Sequence, residues 1–366
     1  MKVAIIGAGI VGSTAAYYLR KNEIEDVTIF DYGKGQATKA AAGIICPWFS
    51  KRRNKAWYRL ASQGADFYQK LILNLSEDGF DTSFYRQNGV FLLKKDENKL
   101  SELYELAHQR RHISPMIGHL KRIDKQEANL SFAGIEGFSE SLYASGAACV
   151  DGKKLCQTLL AAANYPLINK WVDLTLNKNF FRIDNQDFDT LILASGAWLK
   201  DILDPLDYDV DIRPQKGQLI DLTIDGLQSE NFPVLMPEGE LDIIPFEDGR
   251  ISVGASHEND MGFDLSADSD ILNQLQATAS TYFPRLKEAQ KRSCRIGTRA
   301  YTKDFSPFYG QVPDLANCYT ASGLGSSGLT VGPLIGFELV SLLLNQDLQM
   351  DPKDYPVQDY IKQSKK

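Results

Sequence analysis

Basic charge, histidine and paired cysteine are what this sequence is short of. Its 40 lysines and arginines stand against 47 aspartates and glutamates, a formal net charge of −7. Binding a phosphate backbone needs a concentrated basic surface, so this balance argues against a nucleic-acid partner. The pairs Arg52-Arg53 and Arg110-Arg111 are too short to be arms and read as solvated surface. The 4 histidines, His108, His112, His119 and His257, do not cluster in sequence. The 5 cysteines, Cys46, Cys149, Cys156, Cys294 and Cys318, show no CxxC or CxH spacing. That pattern speaks against a disulfide framework or a metal site and fits a reducing, cytoplasmic setting. Long apolar runs are missing too: the strongest candidate, residues 331–344, is interrupted by Pro333 and Glu338. No transmembrane segment is therefore expected, and no targeting segment either, since the apolar stretch opening at Val3 lacks a charged lead and a cleavage site.

What is present is an ordinary globular composition, 43% hydrophobic and 24% charged over 366 residues, long enough for two domains. A strand at 2–6, a helix at 9–21 and a strand at 27–31 form a βαβ opening, which calls for a parallel sheet covered by helices. Helices follow at 55–75, 97–111 and 153–164, with a short strand at 89–94. The near-continuous apolar run 188–194 reads as a buried parallel strand. The pattern then changes. Residues 217–224 alternate, with Ile220, Leu222 and Ile224 on one face. Segments 241–246 and 250–254 flank Glu247-Asp248-Gly249, which is antiparallel hairpin chemistry. A helix at 268–283, a parallel strand at 317–321 and a long helix at 328–344 close the chain, and the polar residues 351–366 are expected to fray. Parallel segments at both ends thus enclose antiparallel ones. The expected class is α/β, with a discontinuous nucleotide-binding domain (1–80, 140–213 and 297–366) and an inserted antiparallel α+β substrate domain (81–139 and 214–296).

Two glycine loops carry the chemistry. Gly7-Ala8-Gly9-Ile10-Val11-Gly12 follows a strand and opens a helix, the Rossmann-type context. Gly7 permits a tight turn, Gly9 lets backbone approach a pyrophosphate, and Gly12 lets helix pack on strand. The helix N-terminus then faces phosphates with free N–H groups. Asp31, 19 residues after Gly12, ends the second strand where a carboxylate meets a ribose hydroxyl. This motif alone does not separate NAD from FAD. Near the other end, Gly323-Leu324-Gly325-Ser326-Ser327-Gly328-Leu329-Thr330 forms a second strand–loop–helix unit. One such loop is weak evidence, but two in matching contexts suit a long dinucleotide. Thr38-Lys39-Ala40-Ala41-Ala42-Gly43-Ile44 supplies small residues suited to packing flat on a ligand, or to a plain helix start. Ala194-Ser195-Gly196-Ala197-Trp198 either lets backbone approach a ligand or is an ordinary strand-to-helix turn.

Taken in order, these segments resemble the D-amino-acid oxidase superfamily of FAD enzymes, and within it the glycine oxidase-like branch. The matches are Gly7 to Gly12, the run from Thr38 to Pro47, Val150-Asp151, Leu193 to Trp198, Arg213-Pro214-Gln215-Lys216-Gly217-Gln218, Ile243-Ile244-Pro245, Gly249-Arg250, Val253-Gly254-Ala255, Gly297-Thr298-Arg299, and Gly323 to Thr330. They span nearly the whole chain. The resemblance implies a glutathione reductase-like FAD domain. It implies that Asp31, beside Tyr32, binds the adenosine ribose, and that Thr38, Ala42, Gly43 and Ile44 lie along the pyrophosphate and flavin. Val172 would touch adenine through its backbone. Ser195, Gly196 and Trp198 would line the cofactor, and Leu324, Gly325, Ser326, Ser327, Gly328, Leu329 and Thr330 the isoalloxazine end. Arg299 matches the arginine that grips the substrate carboxylate, a task for a planar fork. Ala300 to Tyr309 contains no cysteine of the kind to which some relatives attach flavin, so FAD is expected to be non-covalent.

The implied reaction is oxidative deamination of a small amino acid, glycine or a D-amino acid, by hydride transfer to flavin N5, with oxygen, quinone or another protein as the final acceptor. Three positions depart from the family pattern: Asp31 replaces a glutamate, Ser326 an arginine at the substrate side, and Asp242 a substrate-site tyrosine. An ionised Asp242 accepts hydrogen bonds only, so within the pocket it would repel a carboxylate and favour an ammonium or basic group. One residue out of register, it would point to solvent. His257 similarly either lines the pocket or lies on the surface. Two other readings share the fold: a sarcosine-type oxidase of N-methyl amino acids, and a flavin-binding subunit without turnover. Oligomeric state is not indicated.

Overall fold

The computed structural model describes residues 1–94, 96–177 and 180–364. Its centre is a six-stranded sheet in the order Phe308–Gln311, Cys318–Ser322, Thr190–Leu193, Val3–Ile6, Val27–Asp31, Leu167–Asn169. All neighbours are parallel except the first pair. Every residue of Val3–Ile6 is buried, as a strand covered on both faces requires. Its side chains divide by period two. Val3 and Ile5 face a cluster with the helices Ile10–Lys21, Gly152–Ala163 and Gly328–Leu343, whereas Ala4 and Ile6 face Phe181, Ile183 and Phe188 of an antiparallel meander. That meander is Leu174–Asn177, Phe180–Ile183 and Gln186–Phe188.

A second sheet has eight strands, ordered Lys291–Tyr301, Arg213–Thr223, Arg250–Gly254, Asp242–Pro245, Val234–Met236, Val90–Leu93, Glu140–Ala144, Leu120–Asp124. It is antiparallel apart from the Val234–Met236 and Val90–Leu93 pair. One face carries Ile220, Leu222, Ile243, Ile251 and Val253 against Leu272, Ala279 and Phe283 from the helix Ser269–Ala279 and the turn after it. The expected alternation at 217–224 is this buried face. In the hairpin turn, Asp248 and Gly249 have φ of 56° and 68°, which the Asp-Gly pair accommodates.

The structure corrects several expectations. The run 188–194 is two strands: Phe188 ends the meander, and Thr190–Leu193 belongs to the central sheet. Residues 351–364 of the C-terminal segment are packed rather than frayed, since Ile361–Gln363 pairs with Tyr208–Val210 and Tyr355 is buried against Tyr309, while Lys365 and Lys366 lie outside the described residues. Arg110 is not solvated surface: it donates to the carbonyls of Trp48 and Ser50 at 2.5 and 2.8 Å and lies over the Tyr58 ring. Two expected segment limits meet the second sheet. Lys291–Tyr301 pairs along its whole length with Arg213–Thr223, straight through position 297, and Glu140–Ala144 also lies in that sheet. Among the described residues one helical stretch, Gly325–Leu343, is long and apolar enough to cross a membrane. It lies inside the protein, with 72% of its apolar window buried.

Candidate active site

The first glycine loop is shaped by backbone contact. Gly7 has φ of +106°, and a Cβ there would stand 2.3 Å from the Ala194 carbonyl oxygen. A Cβ on Gly12 would stand 1.8 Å from the Gly7 carbonyl oxygen, so only glycine lets this helix seat on its strand. Gly9 is different. A Cβ on it meets only Thr38 Oγ1, at 3.4 Å, so the space above it belongs to a channel. Asp31 sits at the floor of that channel, buried, accepting from Ala8 N at 3.0 Å and Gln36 Nε2 at 2.6 Å. Thr38 Oγ1 accepts from Ile10 N at 3.1 Å.

The channel is lined by Gly7, Gly9, Ile10, Val11, Asp31, Tyr32, Thr38, Val172, Ser195, Gly196, Trp198, Leu324, Gly325 and Gly328, which brings the two distant glycine loops together. Gly12 lies beneath it, in the packed helix. Three further polar atoms in its wall, Gln36 Oε1, Ser195 Oγ and Thr298 Oγ1, are buried without a protein partner. Buried polar groups are nearly always paired in native interiors, and a polar ligand in the channel would give these three their partners. A dinucleotide fits that demand: hydroxyl and phosphate groups for the orphan atoms, and open backbone at Gly9 for the pyrophosphate. Gln36, Thr298 and Lys170 of the lining were not foreseen, because their part in the channel depends on the crossing of segments far apart in sequence.

The channel opens at Thr38, Gly325 and Gly328 into a cavity of about 660 Å³ between the two sheets. Ala42, Gly43, Ile44, Ser326, Ser327, Leu329 and Thr330 line it, as do Arg299, Asp242 and His257. The second glycine loop is held from outside by side chains that sequence reasoning passed over. Tyr301 Oη accepts from Ser326 N at 3.1 Å, and Tyr68 Oη donates to the Leu329 carbonyl at 2.8 Å. No side chain caps the helix Gly328–Leu343, which continues directly from the turn Gly325–Ser327, and the N-terminal end of this helical stretch lines the cavity.

Arg299 lies flat over Gly217, where a Cβ would stand 2.7 Å from its Cζ. Its Nη1 donates to Gln215 Oε1 at 3.0 Å and to the Ser256 carbonyl at 2.9 Å. Burial pulls its pKa down, while Tyr301, Glu240 and Glu258 act the other way. The motif from Arg213 to Gln218 explains this orientation. Gln215 Nε2 donates to Asn259 Oδ1 at 2.9 Å, the fully buried Lys216 pairs with Asp264 at 2.6 Å, and Gln218 Nε2 donates to Glu258 Oε1 at 2.8 Å. These bonds tie down the segment 256–264, whose Ser256 carbonyl in turn fixes the guanidinium.

Asp242 takes the cavity-facing of its two expected orientations. Burial pushes its carboxyl up to about 7, with Lys94 opposing, so near neutral pH it is divided between its charged and neutral forms. Lys94 shares the cavity wall and was not singled out from the sequence. His257 also faces the cavity and pairs through Nδ1 with Glu240 at 2.7 Å. Among the described residues no group of histidine, cysteine and acidic side chains could hold a metal ion.

A parallel sheet with a glycine-rich dinucleotide channel, joined to an antiparallel sheet that walls a cavity at the channel's end, defines a flavoprotein oxidoreductase. The chain belongs to the FAD dependent oxidoreductase family DAO, whose model matches residues 2–342. It is an FAD-dependent enzyme of the glycine oxidase-like branch. It is 37% identical over 361 residues to the uncharacterized oxidoreductase YurR of Bacillus subtilis, covering 96% of this chain and 97% of that one. It is 27% identical over 374 residues to glycine oxidase of Pseudomonas aeruginosa, covering 97% and 98%. Iminodiacetate oxidase (IdaA) of Chelativorans sp. BNC1 superposes with a TM-score of 0.92 at 31% identity, covering 97% of this chain and 99% of that structure.

Proposed function

We propose that this enzyme oxidises the C–N bond of a small amino acid, of the glycine or D-amino acid type, with FAD as the primary electron acceptor. The observation that carries the reading is Arg299, a half-buried guanidinium fixed through Nη1 and presented to the cavity beside the second glycine loop. Its remaining N–H groups meet a carboxylate, and Gly217 beneath it keeps that approach flat. The residues assigned to hold FAD are Gly7, Gly9, Ile10, Asp31, Thr38, Val172 and Ser195 along the channel, with Ala42 to Ile44 and Leu324 to Thr330 around the isoalloxazine.

Bound FAD supplies the acceptor for the hydride that leaves the substrate α-carbon. The protein's part is placement. Arg299 would anchor the carboxylate, the N-terminal end of the helical stretch Gly325–Leu343 would offer partial positive charge to the bound cofactor, and Leu92, Leu219 and Met236 give the cavity an apolar wall. A second reading is favoured by one finding. The likeness to iminodiacetate oxidase extends over almost the entire chain, so a secondary amine, as in N-substituted amino acids, is the alternative donor. The deciding experiment is anaerobic bleaching of the yellow enzyme with primary and N-substituted amino acids. Reduction of the flavin by at least one of them is expected. A flavin that no amine reduces overturns the proposal and leaves a binding subunit.

A further inference from the structure

We infer that Lys94 forms a second anion subsite in the cavity, so that the substrate is an amine bearing two carboxylates, one held by Arg299 and the other by Lys94. This rests on the reading of the cavity as an amine-oxidising site. Lys94 follows the strand Val90–Leu93 and lines the same cavity as Arg299. The other lysines of that wall are paired by the protein itself, Lys99 with Glu238 at 2.6 Å and Lys51 with Glu102 at 2.8 Å, and His257 Nδ1 lies 2.7 Å from a Glu240 carboxylate oxygen. Among the described residues, by contrast, no hydrogen bond or ion pair engages Lys94 Nζ. The side chain is half-buried, and burial lowers its pKa against the raising effects of Glu238 and Asp242.

A partly desolvated ammonium without a bonded partner is unfavourable unless something supplies the missing negative charge. The acidic groups that act on Lys94 are Glu238, which pairs with Lys99 at 2.6 Å, and Asp242, whose own carboxyl burial raises to about 7. A ligand carboxylate meets the need. With Arg299 presented to the same space, the cavity offers two cationic anchors, and a cavity of about 660 Å³ exceeds what an amino acid of glycine's size occupies. The substrate class this describes has an amine between two acid groups. Recognition of the second acid separates such compounds from amines with a single carboxylate, because a site that holds a cation in readiness loses that contact when the partner group is missing.

The test uses the FAD-loaded enzyme and two acids that carry no nitrogen to oxidise. Glutarate has two carboxylates and butyrate one, and each is titrated while the flavin absorbance is followed. Glutarate is expected to bind at least about tenfold more tightly than butyrate, the factor of one charge-assisted hydrogen bond. Lys94→Met is expected to abolish the difference and Lys94→Arg to retain most of it, with FAD content unchanged in both. Equal affinities in the wild type, failure of both acids to bind, or a preference that survives Lys94→Met each overturn the subsite. A second arm compares oxidation of iminodiacetate with that of sarcosine, which has a methyl group in place of one carboxymethyl. Equal kcat/KM for the two removes the subsite and leaves the amine-oxidising reading intact. Lys94-dependent glutarate binding without any amine-driven reduction removes the amine-oxidising reading and leaves the subsite.

Discussion

Replacing Gly64 with alanine tests whether the flavin end of the site is set by backbone contact. Gly64 lies within the long helix Lys55–Glu77, where a glycine-to-alanine change ordinarily favours the helix by about 1 kcal/mol. Here the opposite is expected. A Cβ on Gly64 would stand 2.4 Å from the Thr330 carbonyl oxygen and 3.0 Å from Val331 Cα. Unstrained carbon contacts lie at about 3.5–4.0 Å, so the two helices must part by about 1 Å. Both opposing atoms are backbone, and no change of rotamer relieves the clash. Overpacking of this kind costs about 1–3 kcal/mol, which cancels or exceeds the propensity gain. Thr330 stands in the first turn of the helix Gly328–Leu343 and lines the cavity, so the displacement is delivered to the cofactor site. Gly64→Ala is expected to lower stability by up to about 2 kcal/mol in denaturant titrations. It is also expected to weaken FAD binding when apoprotein is reconstituted and followed by flavin fluorescence. A variant of equal or greater stability with unchanged FAD affinity would refute the argument that this contact sets the site.

Three other outcomes follow from the same geometry. The purified protein is expected to be yellow and to release intact FAD on heating in acid, whereas Gly9→Leu, which fills the open space over Gly9, is expected to fold and remain colourless; a yellow Gly9→Leu protein places the pyrophosphate elsewhere. Arg299→Ala is expected to raise KM for a carboxylate substrate by about 10- to 200-fold, the worth of a charge-assisted hydrogen bond of about 1.5–3 kcal/mol, with FAD content unchanged. Arg299→Lys is expected to recover only part of the loss, and unchanged kinetics in both variants remove Arg299 from the site. The Asp242 carboxyl is raised from 3.8 to about 7, so the folded state holds its proton more tightly than the unfolded one. The contribution of Asp242 to stability therefore falls as pH rises from about 4 to about 7, and Asp242→Asn removes that contribution. Denaturation of both proteins at pH 5 and pH 8 checks this, and a wild-type-to-variant difference that is the same at both pH values contradicts it.

The parts of this protein that local chemistry controls were legible in its sequence. The buried strand Val3–Ile6, the glycine turn after it and Asp31 follow from apolar runs, positive φ and strand ends, and each depends on neighbours close along the chain. The hairpin around Asp248-Gly249 is of the same kind. Where a run of apolar residues belongs to two sheets, as at Phe188 and Thr190–Leu193, burial alone gave no break, because strands of either sheet bury the same residue types. The C-terminal segment looked free because its polar residues alternate with a few large ones. Its anchor is the pairing of Ile361–Gln363 with Tyr208–Val210, a partner some 150 residues away.

The site divides in the same way. The glycine loops and Arg299 could be assigned because their residue types and spacing match a family pattern. Tyr301 and Tyr68 behind the second loop, Gly64 against Thr330, and Lys94 beside Asp242 could not. Nothing in the local sequence distinguishes a tyrosine that props a loop from one that fills a core, or a lysine aimed into a cavity from one in water. Residue type and periodicity are properties of a stretch of chain, so the sequence determined the elements, the dinucleotide loops and the cofactor class. Charge state, orientation and the partner of each buried group depend on which distant segments enclose it. That enclosure exists only once the two sheets meet, and so it was the tertiary structure that decided which way Asp242 faces and that Lys94 shares its cavity with Arg299.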